Sequence, residues 1–228
     1  MISRLNIILL FIVVVACDAP STMKDPNDSY FIKFYGGDGE QTGDDFVELP
    51  DGSMILFGTS RPSAAGSKSQ WYLVKVDGKG NVIHSWGKNG ELIFGGPNDE
   101  EARDIELTND NRIVLVGNTY KSATDRDVKV MTLTLDGVKI DSAQVPIFTS
   151  AGVDPFGDED AASITQTTDG FIIAGSTTYV TLAGKTANPG YADTRDGINI
   201  RLNNNLTAYT LNGWPLQQSY GYFSDDVS

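Results

Sequence analysis

From Phe46 onward the chain alternates short apolar runs with polar turns, and their order repeats. LPDGSMILFGTS at Leu49 to Ser60 returns as LTNDNRIVLVGNT at Leu107 to Thr119 and as QTTDGFIIAGST at Gln166 to Thr177. Asp51, Asp110 and Asp169 stand 59 residues apart, and Gly58, Gly117 and Gly175 stand 59 and 58 apart, so the register slips by at most one residue. Runs this short, rich in β-branched and aromatic residues and bounded by Asp, Asn, Gly and Pro, predict strands and hairpins. Helical spacing is nowhere sustained.

Within the first copy the pattern predicts four strands: FVEL, SMILFGT, WYLVKV and NVIHSW, with turns at Pro50-Asp51-Gly52 and Asp77-Gly78-Lys79-Gly80. The second copy reads DIEL, RIVLVGNT, KVMTLTLDG and VKIDSAQV, and the third SITQ, FIIAGST, GINIRLNNN and LTAYTLNGW. The loop joining the second strand to the third varies: Ser60 to Ser69, Tyr120 to Arg126, and a longer Thr178 to Asp196. These loops are expected on one side of the sheets, where partner specificity is cheapest to vary. A four-stranded antiparallel sheet needs cover on both faces, and another sheet like it is the simplest cover. MILF, IVLV and FIIA are therefore expected between sheets, and Gly58, Gly117 and Gly175 to end the second strand where a side chain would crowd a neighbour or φ turns positive.

The N-terminus, MISRLNIILLFIVVVACDAP, has one Arg, an apolar run from Ile7 to Ala16 and then Cys17, the single cysteine of the chain. The run is short for a membrane span, which takes about 20 residues, and reads as a secretory signal. Val14, Val15, Ala16 and Cys17 resemble the lipobox of bacterial lipoproteins, which implies cleavage after residue 16 and a diacylglycerol on the Cys17 thiol. Residues 17–28, rich in Pro, Ser, Asn and Asp, are expected to be a flexible tether. Loss of residues 1–16 takes Arg4 with it and makes the mature chain one unit more negative.

The formal charge of -13 turns the chain away from nucleic acid and toward cations and basic protein surfaces. FYGGDGEQTGDDFVELPDGSMILFGTS, IFGGPNDEEARDIELTNDNRIVLVGNT and PFGDEDAASITQTTDGFIIAGSTT, each leading to a segment such as WYLVKVDGKGNVIHSW, resemble the repeats of secreted bacterial and archaeal β-propeller proteins. Two positions depart from that pattern: Asn111 replaces the turn glycine, and the second copy lacks the tryptophan found at Trp86 and Trp214. The resemblance implies an all-β, propeller-like array of four-stranded antiparallel blades: a lone outer strand at 29–37, blades at 38–96, 97–157 and 158–221, and the start of a further blade at 222–228. Three blades are too few to close a ring, since propellers take about 4 to 8. The chain is expected to be a fragment of a longer propeller or to self-associate.

Such a protein is expected at the bacterial cell envelope, at the outer membrane or cell surface in preference to the inner membrane, binding or scaffolding a protein or polysaccharide partner without a cofactor. A polysaccharide hydrolase or lyase, and an assembly scaffold similar to quinoprotein-like propeller lipoproteins, are the alternatives. Asp44-Asp45, Asp104 and Asp225-Asp226 could supply paired carboxylates for acid and base work on a glycan. Their recurrence at one place in each repeat favours turns or strand caps dispersed around a ring. His84, the only histidine, is read in the fourth strand with no partner for a zinc site or triad. Asp154, Asp158, Glu159 and Asp160 crowd one loop with the oxygen ligands calcium prefers, in a spacing that matches no calcium-loop pattern. Tyr35, Trp86, Phe94, Phe156 and Tyr220 are expected to pack between blades instead of stacking on sugars.

A lipid on Cys17 is directly testable. Cys17→Ser should abolish incorporation of labelled palmitate and leave unprocessed precursor, as read by metabolic labelling and gel mobility.

Overall fold

A computed structural model describes residues 32–123, 125–145, 158–177, 196–207 and 217–220, with the side chains of Val145, Asp196 and Gln217–Tyr220 left aside. The chain divides into two units at Phe34/Tyr35. The described residues of the first, 32–34, have no regular structure. The second holds twelve described strands in three antiparallel sheets, and no helix occurs among the described residues.

Sheet 1 comprises β1 (Glu40–Glu48), β2 (Met54–Arg61), β3 (Gln70–Val76) and β4 (Glu91–Phe94), hydrogen-bonded in sequence order. Sheet 2 repeats the order with β5 (Asp99–Leu107), β6 (Arg112–Ser122), β7 (Asp125–Thr134) and β8 (Lys139–Val145). Sheet 3 does so with β9 (Glu159–Thr167), β10 (Gly170–Thr177), β11 (Asp196–Asn203) and β12 (Gln217–Tyr220). Each repeat thus forms its own sheet, as alternating strands joined by short turns dictate.

The first strand of every sheet is bulged at an equivalent position. The pairing skips Asp44 between Gly43 and Asp45, Arg103 between Ala102 and Asp104, and Ala162 between Ala161 and Ser163. Each bulge faces the repeated glycine, and a Cβ on Gly58, Gly117 or Gly175 would overlap the carbonyl oxygen of Thr42, Glu101 or Asp160 respectively. The glycines therefore do not end the second strand, which runs on to Arg61, Ser122 and Thr177, and their φ angles are not positive. The crowding atom is a backbone oxygen of the adjacent strand in the same sheet, joined at Gly117 by the Trp71 ring.

Alternation then assigns the faces. Ile55, Phe57, Trp71 and Leu73 of sheet 1 meet Ile105, Ile113, Leu115, Met131 and Leu133 of sheet 2 in one buried cluster, which Trp86 completes. The opposite side of sheet 2, with Val114, Val116, Val128 and Val130, meets Phe171, Ile173, Ile198 and Ile200 of sheet 3 in another. Phe57 and Trp71 stack edge to face at 5.4 Å between ring centroids. The front face of one sheet always packs on the back face of the next, so both junctions are the same kind of contact.

The turns also recur. Gly52 and Asn111 take the left-handed conformation, at φ 77° and 59°, in the first hairpin of sheets 1 and 2; asparagine tolerates it best after glycine. In sheet 3 the hairpin closes with Thr168 and Asp169 alone, which accounts for the one-residue slip. VKIDSAQV supplies the fourth strand of sheet 2, β8, as expected, whereas the fourth strands of sheets 1 and 3 differ from expectation. NVIHSW is not a strand: Val82 makes one isolated bridge to Val76, residues 84–87 form a turn, and ELIF is β4. Trp86 turns into the core and donates its indole N–H to Leu135 O at 3.0 Å, pulling that segment off the sheet edge. In sheet 3 the fourth strand is Gln217–Tyr220, beyond LTAYTLNGW, whose first two residues lie in a turn. Residues 32–37, the described part of the expected lone strand, are not a strand: a strand requires a hydrogen-bonded partner, and among the described residues none pairs with them.

Gly117→Ala should force the bulge of β5 and the Trp71 ring apart together. It is expected to cost about 3 kcal/mol, the upper end of overpacking penalties, in urea denaturation followed by tryptophan fluorescence.

Candidate functional site

The bulges do more than bend a strand, because they aim side chains of one sheet at backbone amides of the next. Ala102 N–H donates to Thr59 Oγ1 at 2.9 Å and Ile105 N–H to Asp45 Oδ2 at 3.3 Å, both from sheet 2 to sheet 1. The equivalent bonds recur from sheet 3 to sheet 2: Ala161 N–H to Asn118 Oδ1 at 2.9 Å and Ile164 N–H to Asp104 Oδ2 at 2.7 Å. Two further threads strengthen the first junction: Glu100 N–H donates to Ser69 O at 2.9 Å and the Trp71 indole to Glu101 O at 3.0 Å.

This stitching brings Asp45 and Asp104, from two sheets, near enough for each carboxyl to feel the other. Burial first, and then the Asp45 carboxyl, push Asp104 up to about 6, against the opposing effect of the Ile164 amide. The recurrent aspartates expected to be dispersed are thus neighbours. Each is committed to a backbone amide of the following sheet, which is a different task from flanking a scissile glycosidic bond. Their role in this geometry is to hold two amides.

Beside this pair, at the edge where β1 and β5 begin and the β2–β3 loop ends, a cavity of about 460 Å³ opens between sheets 1 and 2. Five carboxylates line it: Glu40, Asp44, Asp99, Glu100 and Glu101. Three have cations. Asp99 is paired with Arg61 and Lys68, each at 3.0 Å, and accepts the Ser69 amide, which first among the causes holds it down to about 2. Glu101 takes Arg103 at 2.9 Å and the Tyr120 hydroxyl at 2.6 Å. Glu100, 3% exposed, takes Lys129 at 3.0 Å through one oxygen, while its Oε2 has no hydrogen-bond partner. Burial pushes the Glu100 carboxyl up, only partly offset by Lys129, which also lies 4.9 Å over the Trp71 ring. Glu40 and Asp44 have no ion-pair partner among the described residues, and burial raises Asp44. The cavity is an acidic recess in which Asp44, softened by nearby Arg103 and by the Thr42 and Thr59 hydroxyls, and Glu40 make no ion pair among the described residues.

The same positions at the second junction are filled differently. Arg103, on the bulge where sheet 1 has Asp44, reaches Asp160 at 3.0 Å; Arg126 reaches Asp160 at 3.1 Å and also pairs with Asp158. Glu159 is buried in the opposite direction and accepts Thr177 Oγ1 at 3.3 Å. Guanidinium groups thus occupy the described part of the loop considered for calcium, and no group of three or more His, Cys, Asp or Glu among the described residues could hold a metal ion. Cys17, Asp154, Phe156, Asp225 and Asp226 lie outside the described residues, as do residues 178–195 of the third long loop.

His84 sits exposed in a turn, its Nδ1 3.1 Å from Asn89 O, not in a strand. Trp86 and Phe94 pack between sheets 1 and 2, whereas Tyr35 covers part of the outer face of sheet 1 and donates its hydroxyl to Gly80 O. Sequence reasoning missed Glu40, Asp99, Glu100 and Glu101. Their signal was present in EQTGDD, DEEARD and DEDAAS, which recur at the period of the repeat. Compared with known proteins, the chain matches no family model and no curated sequence. No helix among the described residues is long and apolar enough to cross a membrane.

A raised carboxyl contributes to stability with a definite sign. Asp104 binds its proton more tightly folded than unfolded, so its contribution falls as pH rises from about 4 through 6 and stays low above that. Asp104→Asn, which mimics the protonated form, should stabilise the protein by about 1–2 kcal/mol at pH 8 and change little at pH 4, in denaturation curves at the two pH values.

Proposed function

We propose that this chain is a lipid-anchored binding module of the bacterial cell envelope, that its sheets are blades of the β-propeller type, and that the recess between the first two blades grips a cationic group of a protein partner. The observation that supports the binding reading is the recess itself: five carboxylates line it, and neither Glu40 nor Asp44 at its mouth is ion-paired within the described residues. Packed neighbours fix its walls, so the carboxylates are preorganised. A lysine or arginine side chain entering it would find negative potential in a partly desolvated setting, where a charge-assisted hydrogen bond counts for more than on an open surface. The overall charge of -13 adds long-range attraction for the same class of partner.

The repeated front-to-back packing and the repeated bulge support the blade reading. A run of apolar residues ending in VVAC supports the lipid anchor. A polysaccharide partner fits the recess less well, since among the described residues Tyr120 is the one aromatic ring that lines it. Hydrolysis finds no support at Asp45 and Asp104, each of which accepts a backbone amide of the following sheet.

Fluorescence anisotropy with a labelled oligolysine peptide tests this reading, with a neutral oligosaccharide as the comparison. Saturable binding that weakens with salt is expected, and Asp44→Asn or Glu40→Gln should each weaken it about threefold, as partly exposed ion pairs do. Equal binding by both variants, or preference for the oligosaccharide, would overturn it.

A further inference from the structure

Strand pairing sets the two junctions in correspondence, residue by residue. Asp44, on the bulge of β1, stands where Arg103 stands on the bulge of β5, and Ser69, one residue ahead of β3, stands where Arg126 stands in β7. In the sheet that follows, Asp99, Glu100 and Glu101 stand where Asp158, Glu159 and Asp160 stand. At the second junction the first two of these positions carry guanidinium groups. Arg126 spans two carboxylates, with Nε and Nη2 on Asp158 and Nη1 3.1 Å from Asp160, and Arg103 adds a bond to Asp160 at 3.0 Å. At the first junction the same positions carry a carboxylate and a hydroxyl. Arg61 and Lys68 go to Asp99, and Glu101 turns to Arg103 and Tyr120. The first junction thus keeps the acidic half of an arginine site, while its two arginine positions hold none.

Glu100 gives an independent sign of the same kind. It is 3% exposed and lines the recess, and it holds Lys129 through Oε1 at 3.0 Å. Its Oε2 is buried and accepts no hydrogen bond among the described residues. Lys129 and the Thr119 hydroxyl only partly offset the effect of burial on this carboxyl. A buried carboxylate oxygen is ordinarily bonded, because a bare one has given up its water for nothing. A donor entering the recess would restore that bond.

Hydrogen-bond chemistry narrows the donor. Acceptors stand on both walls, Glu40 and Asp44 on β1 and Glu100 on β5. An ammonium gathers its donors about one atom and holds water strongly, whereas a guanidinium spreads its donors over a plane and sheds water more readily. Cations already face the recess: Lys129 at Glu100, Arg61 and Lys68 at Asp99, and Arg103 at Glu101 and near Asp44. A delocalised charge meets less repulsion from them than a compact one.

We infer that the cation this recess takes is the guanidinium of an arginine on the protein partner, which donates to Glu100 Oε2 on one wall and to Asp44 on the other. This rests on the proposed reading of the recess as a cation site and adds to it a preference for arginine over lysine. Glu100 is the residue that sets the preference, since a group must carry donors on two edges to serve both walls.

Fluorescence anisotropy tests this on the full chain in non-ionic detergent, with labelled oligoarginine, oligolysine and uncharged oligocitrulline of equal length. Oligoarginine is expected to bind about tenfold tighter than oligolysine, the worth of one charge-assisted hydrogen bond, and oligocitrulline to show no saturable binding. Glu100→Gln should bring the arginine-to-lysine ratio down to about twofold. Asp44→Arg, which installs the residue of the second junction, should keep the wild-type melting temperature and abolish oligoarginine binding; it decides the matter if Glu100→Gln, by leaving Lys129 without its counter-charge, fails to fold. Equal affinity for oligoarginine and oligolysine would overturn the preference and leave the cation reading standing, whereas binding of neither would overturn both. A folded Glu100→Gln variant that keeps the full ratio, or an Asp44→Arg variant that binds oligoarginine like wild type, would also overturn the inference.

Discussion

The structure depends on a single extra residue in the first strand of each sheet. The bulges at Asp44, Arg103 and Ala162 swing the first strand so that its outward amides meet oxygen atoms of the sheet in front. They also bring a carbonyl so near the second strand that only glycine fits at positions 58, 117 and 175. Bulges end or redirect pairing in most sheets. Here they convert an edge strand, normally an aggregation hazard, into a surface bonded to a neighbour.

From this constraint the polar chemistry follows. An amide at the edge of a strand needs an acceptor if it is to be covered, and the best acceptor for an aligned N–H is a carboxylate. Asp45 and Asp104 serve that purpose, and because equivalent residues of successive sheets stack, the two come into contact. Burial first, and then the neighbouring Asp45 carboxyl, disfavour the charged form of Asp104, which is why a structural carboxyl ends up raised to about 6. A perturbed carboxyl beside a second one resembles a catalytic pair. The bonding partners decide otherwise, for both groups are occupied by the backbone.

The two junctions are alike in their bonds and different in their side chains, and that difference makes the recess. Between sheets 2 and 3, Arg103 and Arg126 reach Asp158 and Asp160 and close the equivalent space. Between sheets 1 and 2 the bulge residue is Asp44, the crossing Arg61 and Lys68 both go to Asp99, and the space stays open and acidic. Variation laid over a repeated frame thus places a distinctive feature at one junction without disturbing the stitching that holds both.

Much of the architecture was legible in the sequence. The period, the all-β class, the hairpin turns at Asp51-Gly52 and Asp110-Asn111, and the apolar runs that fill the two cores are all local, set by alternation and by the φ angles that turn residues allow. The repeated glycines were legible as crowded positions, though not the partner that crowds them, since a bulge is a matter of pairing between strands. The fourth strands of sheets 1 and 3 were misread, though not that of sheet 2, because an outer edge strand bonds on one side only and carries little pattern. Whether NVIHSW or ELIF forms that edge depends on Trp86, and only the presence of sheet 2 draws its ring inward. The contact between Asp45 and Asp104, the buried Glu100 with its lysine, and the recess were likewise decided by tertiary structure. Residues 59 positions apart in the chain share a repeat position, and nothing in a linear pattern says whether equivalent positions of successive sheets are separated or stacked.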